Sequence, residues 1–245
     1  MADASPALWQ QLQASARVLA GVRSGRSTST EFEAVDPSLR AGVQALSLQA
    51  LRGLGLAQAL RQLLARRLPP PAADALLCMA LALLTQDAPA YAPHTLVSQT
   101  VEAAKRDAAT AHQAAFINGC LRRFLREREA LLAVAGKQAE ARYNHPAWWI
   151  ARLQSDHPEH WQEVLAAAQR PASIVLRVNQ RMIGRSAYLG ELERAGIAAE
   201  PVGACGLRLL RSMPVQNLPG YAQGWFSVQD AAAQLAAPLL LSGLE

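Results

Sequence analysis

The stretch AAFINGCLRRFLREREALLAV, residues 114 to 134, decides the fold class of this chain. Its apolar residues recur every three or four positions, which is the period of an amphipathic α-helix. We predict that this helix closes a bundle of helices. The side expected to face the core carries Phe116, Ile117, Cys120, Leu121, Phe124 and Leu125. The side expected to face away carries Arg122, Arg123, Arg126 and Arg128.

Proline and glycine residues predict where other helices of the bundle begin and end. Asp36 is a plausible N-cap and Pro37 a plausible first helical residue, because proline has no N–H to leave unsatisfied there. Gly53 and Gly55 predict a break that divides this segment into two helices. Two further helices are predicted to start at prolines, namely Pro71 and Pro93.

The character of the sequence changes after about residue 136. Residues 141–171 predict two short helices, and SIVLRVN (173–179) is rich in β-branched residues, which predicts a strand. GRSAYLGELERAG (184–196) predicts a helix that ends at a glycine. Further strands are predicted at 197–202, 207–210 and 225–228.

We therefore predict a mainly α chain in three parts. A helical bundle occupies residues 1–135, and a small α+β domain occupies residues 136–220. Residues 221–245 form the first strand and helix of a further domain. The apolar sequence AAAQLAAPLLL at 231–241 predicts a helix that is buried on more than one face.

Composition indicates a cytoplasmic globular protein without a membrane span. The chain has 245 residues, of which 51% are hydrophobic and 18% charged. Asp3 and several glutamines interrupt the first 22 residues, which is unlike a signal peptide. The most apolar run, at 72–84, is shorter than the roughly 20 residues that a membrane helix requires. We expect this run to be a buried helix.

The basic residues are the first pointer to a partner. The net charge is +5, and all of the 24 basic residues are arginine except Lys105 and Lys137. The excess over acidic residues lies mostly in the bundle, and its densest point is the arginine run at 122–128. This run is either a solvated helix face or a surface that follows phosphates. The candidate RNA-binding residues are Arg122, Arg123, Arg126, Lys105 and Arg106.

Cysteine and histidine residues give no sign of a metal site. Cys78, Cys120 and Cys205 are too far apart for a zinc-binding pattern, so we predict packing roles for them. His157 and His160 are spaced for one helix face, but no third ligand follows at a suitable distance. We interpret them as part of a solvated helix start.

Four ordered segments carry a resemblance to a known family. They are FINGCLRRFLRE (116–127), HPAWWIARL (145–153), LRVN (176–179) and LPGYAQGWFSVQDAAAQLAAPLL (218–240). In this order they resemble the RsmB (Sun/Fmu) family of S-adenosylmethionine-dependent methyltransferases, which make 5-methylcytosine in small-subunit ribosomal RNA. The resemblance extends over essentially the whole chain.

The resemblance implies a NusB-like helical RNA-binding domain, then a small linking domain similar to an RNA-recognition motif, then a Rossmann-type catalytic domain. In the family, the catalytic domain continues after VQD into a glycine-rich cofactor loop and two catalytic cysteine motifs, and this sequence contains none of these. The complete protein is thus expected to use S-adenosylmethionine. We expect this chain to bind no cofactor and to be inactive alone, and we assign it no catalytic residue.

Several residues of the matching segments have both a structural and a functional interpretation. Asp230, which matches the family together with Gln229 and Gln234, either caps the helix that follows or borders the cofactor pocket. Ala232 stands where the family often has serine. Further expectations concern two other matching segments: Asn118 is a buried amide that bonds the backbone, and at least one of Trp148 and Trp149 is buried.

The sequence thus predicts the RNA-recognition part of a ribosomal RNA methyltransferase, with small-subunit ribosomal RNA as the partner. One alternative is a free-standing NusB-like protein that binds RNA or transcription factors without catalysis. Another is a helical protein-interaction domain whose arginine face is only solvated. The strands predicted after residue 136 favour the methyltransferase over a free-standing NusB-like protein.

Overall fold

In a computed structural model, which describes residues 6–86 and 88–242, the chain forms two compact units. The first unit comprises residues 1–169 and the second residues 170–245. The predicted mainly α class is confirmed, since the strands form a single small sheet in the second unit. None of the helices within the described ranges is long and apolar enough to cross a lipid bilayer.

The first unit is built from eleven helices in the part of the chain that the structure describes. These are α1 (Leu8–Arg23), α2 (Thr28–Glu33), α3 (Arg40–Arg52), α4 (Leu54–Leu64), α5 (Pro71–Leu84), α6 (Pro93–Lys105), α7 (Ala114–Arg126), α8 (Arg128–Ala135), α9 (Ala139–Tyr143), α10 (Ala147–Asp156) and α11 (Trp161–Ala168).

Helix α5 lies at the centre of this unit, as its apolar sequence predicts. Every residue from Ala73 to Leu84 is buried, and α1, α3, α4, α6 and α7 all contact the helix. Pro71 occupies its first turn, where a missing N–H leaves no hydrogen bond unmade. A helix that is apolar on all sides is therefore stable here because neighbours cover it on all sides.

The predicted break at Gly53 and the predicted helix start at Pro93 are confirmed, whereas the predicted start at Asp36 is displaced. Helix α3 begins only at Arg40. The Asp36 carboxylate accepts a hydrogen bond from the Ser38 N–H at 2.8 Å, so it closes a turn ahead of the helix. The predicted helix over 114–134 is interrupted at Glu127, which separates α7 from α8.

Asn144 joins the junction of α3 and α4 to the helices that follow. It adopts a left-handed backbone conformation after α9, and its Oδ1 accepts the Gly55 N–H at 2.6 Å. Its Nδ2 donates to the Leu51 carbonyl at 2.9 Å. A Cβ at Gly55 would lie 2.2 Å from the Glu140 carbonyl oxygen, so this close approach requires glycine.

A buried ion cluster links α1, α4 and α5. Asp74 is only 2% exposed, and its carboxylate lies 2.7 Å from Arg23 Nη2 and 2.8 Å from Arg61 Nε. The Arg61 N–H is not aligned for a hydrogen bond, so that contact is an ion pair. Burial raises the pKa of the Cys78 thiol to about 11. The negative charge of Asp74, which precedes Cys78 by four residues on the helix, contributes in the same direction.

The second unit is a four-stranded antiparallel sheet with one main helix. Its elements are β1 (Val175–Val178), α12 (Arg185–Arg194), β2 (Ala199–Val202), β3 (Gly206–Leu209), β4 (Phe226–Val228) and α13 (Ala236–Leu241). The strand order is β2-β3-β1-β4, and all three pairings are antiparallel. The predicted strands and the helix that ends before Gly196 are confirmed.

Alternation along the strands separates the core of the second unit from its exposed residues. Leu176 and Val178 of β1 are buried with Tyr188 and Leu192 of α12, whereas the intervening Arg177 is exposed. This is the period of two that a half-buried strand requires. The Tyr188 hydroxyl donates to the Pro219 carbonyl at 3.0 Å, and burial raises its pKa to about 12.

The segment after β4 is apolar but exposed. Asp230 accepts a hydrogen bond from the Ala232 N–H at 2.8 Å, so it closes a turn and does not cap a helix as predicted, because α13 begins only at Ala236. Its residues Leu239 and Leu240 are 72% and 75% exposed. Residues 1–5 and 243–245, at the ends of the predicted first and third parts, lie outside the described residues.

Candidate nucleic-acid interface

Helices α6 and α7 pack side by side and leave a groove of about 480 Å³ between them. Residues 106–113 join the two helices, and side chains of both helices line the groove. We call this the α6–α7 groove. Its lining includes His94, Ser98, Glu102, Lys105, Asn118 and Arg122.

Two of the predicted RNA-binding residues meet in this groove. Lys105 is the last residue of α6, Arg122 lies on α7, and both are exposed. Among the described residues, neither cation has a carboxylate oxygen within 4.0 Å. The acidic residue of the groove, Glu102, is engaged by Arg106 at 2.5 Å. The groove is therefore left with positive charge that the described part of the chain does not neutralise.

Arg126 extends this charge along α7. It follows Arg122 by four residues, a spacing that places two side chains on the same helix face. Its side chain is exposed, and no carboxylate oxygen of the described residues lies within 4.0 Å of it. Arg126 does not line the groove itself. Together with Lys105 and Arg122 it makes up the unpaired cations of these two helices that were among the candidates, which we call the groove cations.

The other two predicted residues are engaged elsewhere. Arg123 donates to Glu127 Oε2 at 3.0 Å and reaches the Leu63 carbonyl of α4 at 3.4 Å. Arg106, besides its contact with Glu102, places its guanidinium carbon 4.6 Å from the ring centre of Trp9 on α1. The structure therefore does not bring these two arginines into the group of groove cations.

The polar residues of the groove that were not among the candidates include Asn118 and His94. Asn118, expected to be buried and bonded to the backbone, is instead half-buried and lines the groove. His94, in the first turn of α6, lines it as well. Asn118 could have been found from the sequence, because it precedes Arg122 by four residues and shares its helix face.

A second basic groove lies beside the beginning of α7. It has a volume of about 550 Å³ and is lined by Arg66, Arg67, Gln113 and Phe116, together with the prolines before α5. Both arginines are exposed. The signal that the sequence offered was the pair of adjacent arginines one residue before the triple proline.

Arg128, although part of the arginine run, has a structural role. Its Nη1 donates to the Leu84 carbonyl at the end of α5 at 2.7 Å, and its guanidinium carbon lies 5.5 Å from the Phe124 ring centre. Lysine or arginine near a helix C-terminus stabilises the carbonyls that lack intrahelical partners. Arg128 is therefore not a candidate for RNA binding.

The two adjacent tryptophans of α10 are both exposed, so the expectation that one is buried is wrong. Trp148 is 69% exposed and Trp149 is 37% exposed. Their ring centres lie 5.6 Å apart in an edge-to-face arrangement. The small core of this region uses Ile150, Leu153 and Leu165 instead. A short helix on the surface needs only one apolar stripe, and these residues supply it.

The cysteines and histidines occupy separate places. Cys78 and Cys120 are buried in the helical core, which confirms their packing role, and burial raises the pKa of both thiols. Cys205 is only half-buried. On the surface, His160 Nδ1 lies 3.5 Å from Glu163 Oε2. Within residues 6–86 and 88–242, no three potential ligands are grouped for a metal ion.

Family models match both units of the chain. The model of the NusB family matches residues 16–126, a range that includes α6, α7 and all the groove cations. The model described as Methyltr_RsmF/B-like, ferredoxin-like domain matches residues 145–216. This second match begins inside the first compact unit and continues through β3. The strand order β2-β3-β1-β4 is consistent with its ferredoxin-like description.

Curated relatives agree with these matches. The chain is 40% identical over 149 residues to ribosomal RNA small subunit methyltransferase B of Vibrio cholerae, covering 60% of this chain and 34% of that protein. It is 38% identical over 152 residues to the probable methyltransferase B of Coxiella burnetii, with the same coverage. The chain is thus similar to the amino-terminal part of the RsmB methyltransferases. It spans about a third of the length of these RsmB relatives.

A solved structure has the same fold as this chain. The crystal structure of PH0851 aligns with a TM-score of 0.63 and 15% sequence identity, covering 96% of this chain and 56% of that one. At this identity the alignment supports the fold alone. The resemblance seen in the sequence is confirmed by the family models and the curated relatives.

Proposed function

We propose that this chain is the RNA-recognition portion of an S-adenosylmethionine-dependent methyltransferase that makes 5-methylcytosine in small-subunit ribosomal RNA. The observation that carries the proposal is the group of groove cations, Lys105, Arg122 and Arg126, without carboxylate partners among the described residues. The ferredoxin-like match over 145–216 favours this function over that of a free-standing NusB-like protein.

Phosphate groups of RNA are the ligands that suit these side chains. The Arg122 guanidinium offers several N–H donors in one plane and can bind two phosphate oxygens at once, whereas Lys105 supplies a compact charge. Because Arg106 engages Glu102, no free carboxylate repels the RNA strand at this point. Binding of this kind releases counterions, so its strength depends on the salt concentration.

The parts of the chain follow the organisation of the family in this proposal. Residues 1–135 are the NusB-like domain, residues 136–220 the linking domain, and residues 221–245 the start of the catalytic domain. The protein acts in the cytoplasm, where ribosomal RNA is its substrate. We assign S-adenosylmethionine binding and methyl transfer to the part of the relatives' sequences that this chain does not match.

Charge reversal in the groove tests RNA binding. We expect Lys105→Glu with Arg122→Glu to weaken binding to a fragment of small-subunit ribosomal RNA by about two orders of magnitude at low salt. Circular dichroism and thermal melting should be unchanged, because both side chains are exposed. Unchanged affinity in a folded variant would show that the groove is only solvated.

Calorimetry tests the proposed division of labour. Titration of this chain with S-adenosylmethionine should give no saturable heat. Saturable binding with a Kd near one micromolar, equivalent to about 8 kcal/mol, would mean that the chain itself forms a cofactor pocket. The proposal that the cofactor binds elsewhere would then be wrong.

A further inference from the structure

A polar pocket in the second unit brings together two of the segments that carried the family resemblance. It has a volume of about 380 Å³ and lies where β1 ends, beside the first residues of β4. LRVN (176–179) supplies one wall and GWFSVQD (224–230) another. Side chains around it include Arg177, Asn179, Gln180, Arg181, Cys205 and Ser227.

The strand register explains why there is space beside Arg177. On β4, Arg177 is paired with Ser227, and on β3 it is paired with Gly206. Residues paired across neighbouring strands project from the same face of the sheet. Arg177 therefore has a short side chain on one side and none on the other, and its guanidinium group remains exposed.

Asn179 fixes the loop that closes the pocket. Its N–H donates to the Trp225 carbonyl at 2.8 Å, and its Nδ2 donates to the Gly224 carbonyl at 3.1 Å. Its Oδ1 accepts the N–H of Arg181 at 3.3 Å, which forms a turn of the Asx type. The pocket wall is thus held by hydrogen bonds from both motifs, and Arg181 is kept at its edge.

The charge of the pocket is positive. Arg177 reaches a single neutral acceptor, Gln229 Oε1, at 3.5 Å. Within the described ranges, neither Arg177 nor Arg181 has a carboxylate oxygen within 4.0 Å, and no acidic residue lines the pocket. By contrast, Arg194 and Arg208 of the same unit are paired with Glu191 and Glu200.

We infer that this pocket binds a phosphodiester group of an RNA strand, through the guanidinium groups of Arg177 and Arg181 and the amide of Gln180. Two guanidinium groups in a recess without a carboxylate are suited to an oxyanion that accepts several hydrogen bonds. That the anion belongs to RNA rests on the function proposed above. The RNA-binding surface then includes this pocket of the second unit as well as the α6–α7 groove.

Cys205 provides a reporter inside the pocket. It accepts a hydrogen bond from Gln180 Nε2 at 3.2 Å and is half-buried, whereas Cys78 and Cys120 are buried in the helical core. Burial raises the pKa of both core thiols, which further slows their reaction because the thiolate is the nucleophile. Iodoacetamide should therefore modify Cys205 first in the folded chain.

The experiment measures the rate of Cys205 alkylation in the whole chain by mass spectrometry, with and without a single-stranded ribo-oligonucleotide. At an RNA concentration ten times the Kd, we expect about tenfold slower alkylation, because about a tenth of the pockets remain empty. Arg177→Ala with Arg181→Ala should abolish the protection. Arg194→Ala, a matched control on α12, should retain it, and circular dichroism should show that all variants are folded.

The outcomes separate this inference from the proposed function. If RNA binds but Cys205 reacts at an unchanged rate, the pocket is not an RNA contact, while RNA binding by the chain stands. If RNA does not bind, titration with inorganic phosphate still tests the anion site. Protection by millimolar phosphate that requires Arg177 and Arg181 would support the site, and its absence would overturn it.

Discussion

Two groups of arginines in the helical unit differ in their surroundings. Arg23 and Arg61 lie against the buried carboxylate of Asp74, whereas Arg122 and Arg126 are exposed and have no carboxylate within 4.0 Å among the described residues. The first group holds three helices together. The second adds little to the fold and is available to a ligand. The number of arginines in a sequence is therefore a poor guide to RNA binding, and their partners are a better one.

Burial explains why the two groups are expected to respond differently to mutation. A charge inside the bundle has lost its water and depends on its partner, so removing the partner leaves it uncompensated. A charge on the surface remains hydrated whether or not it has a partner. Substitutions should thus change stability at Asp74 and RNA affinity at the groove cations.

The largest effect on the stability of the fold is expected for Asp74→Ala. The substitution leaves Arg23 and Arg61 without a counterion, and we expect it to lower the free energy of unfolding by about 3 to 5 kcal/mol. Urea denaturation followed by circular dichroism measures the loss. Asp156→Ala, which removes the partner of Arg152 from an exposed pair at 2.6 Å, is the control and should cost less than about 1 kcal/mol. Similar losses for the two variants would break the comparison.

An intermediate effect on the free energy of unfolding is expected for Asp107→Asn. The Arg17 guanidinium, which donates to the Asp107 carboxylate at 2.8 Å, holds the pKa of that group below its ordinary value, and the Ala109 N–H contributes. We expect a loss of up to about 1 kcal/mol at neutral pH.

The loss at Asp107 should depend on pH in a defined direction. The stabilisation is complete above the unfolded-state pKa of about 3.9 and disappears as the pH falls through the lower folded-state pKa. Unfolding curves of the wild type and Asp107→Asn should therefore converge at acidic pH. A difference that persists at a pH below the folded-state pKa of Asp107 would mean that the lost stability is not electrostatic.

The smallest effect on stability is expected at the groove cations. Replacing Lys105, Arg122 and Arg126 together by glutamine should change the free energy of unfolding by less than about 0.5 kcal/mol per site, because exposed side chains without partners contribute little. Thermal and urea denaturation measure it. A loss as large as that for Asp74→Ala would assign these residues to the fold instead of to a ligand.

Local signals predicted much of the fold. Pro71 and Pro93 begin α5 and α6 as expected, and Gly53 separates α3 from α4, because proline and glycine restrict the backbone whatever surrounds them. The strand β1 was also predicted, from the β-branched residues of 173–179. By contrast, α13 is nearly as apolar as α5, yet the described structure leaves its leucines exposed. Burial depends on the neighbours that the rest of a chain supplies.

The candidate site was predicted in part. Two of the five candidates are paired at a spacing of four residues, Glu102 with Arg106 and Arg123 with Glu127, which was visible in the sequence. The meeting of Lys105 with Arg122 was not visible, because it depends on how α6 and α7 pack. Whether any of these residues contacts RNA stays a prediction.

The salt dependence of RNA affinity tests the central claim most directly. The plot of log affinity against log salt concentration should be compared for the wild type, for Lys105→Gln with Arg122→Gln and Arg126→Gln, and for the control Arg152→Gln with Arg194→Gln, whose exposed arginines are paired with Asp156 and Glu191. If the groove cations each contact a phosphate, the slope of the first variant should decrease in magnitude by about 2 to 3, at 0.7 to 0.9 per lost contact, while the control keeps the wild-type slope. An unchanged slope in the groove variant, or an equal decrease in the control, would contradict the assignment of RNA binding to the unpaired cations.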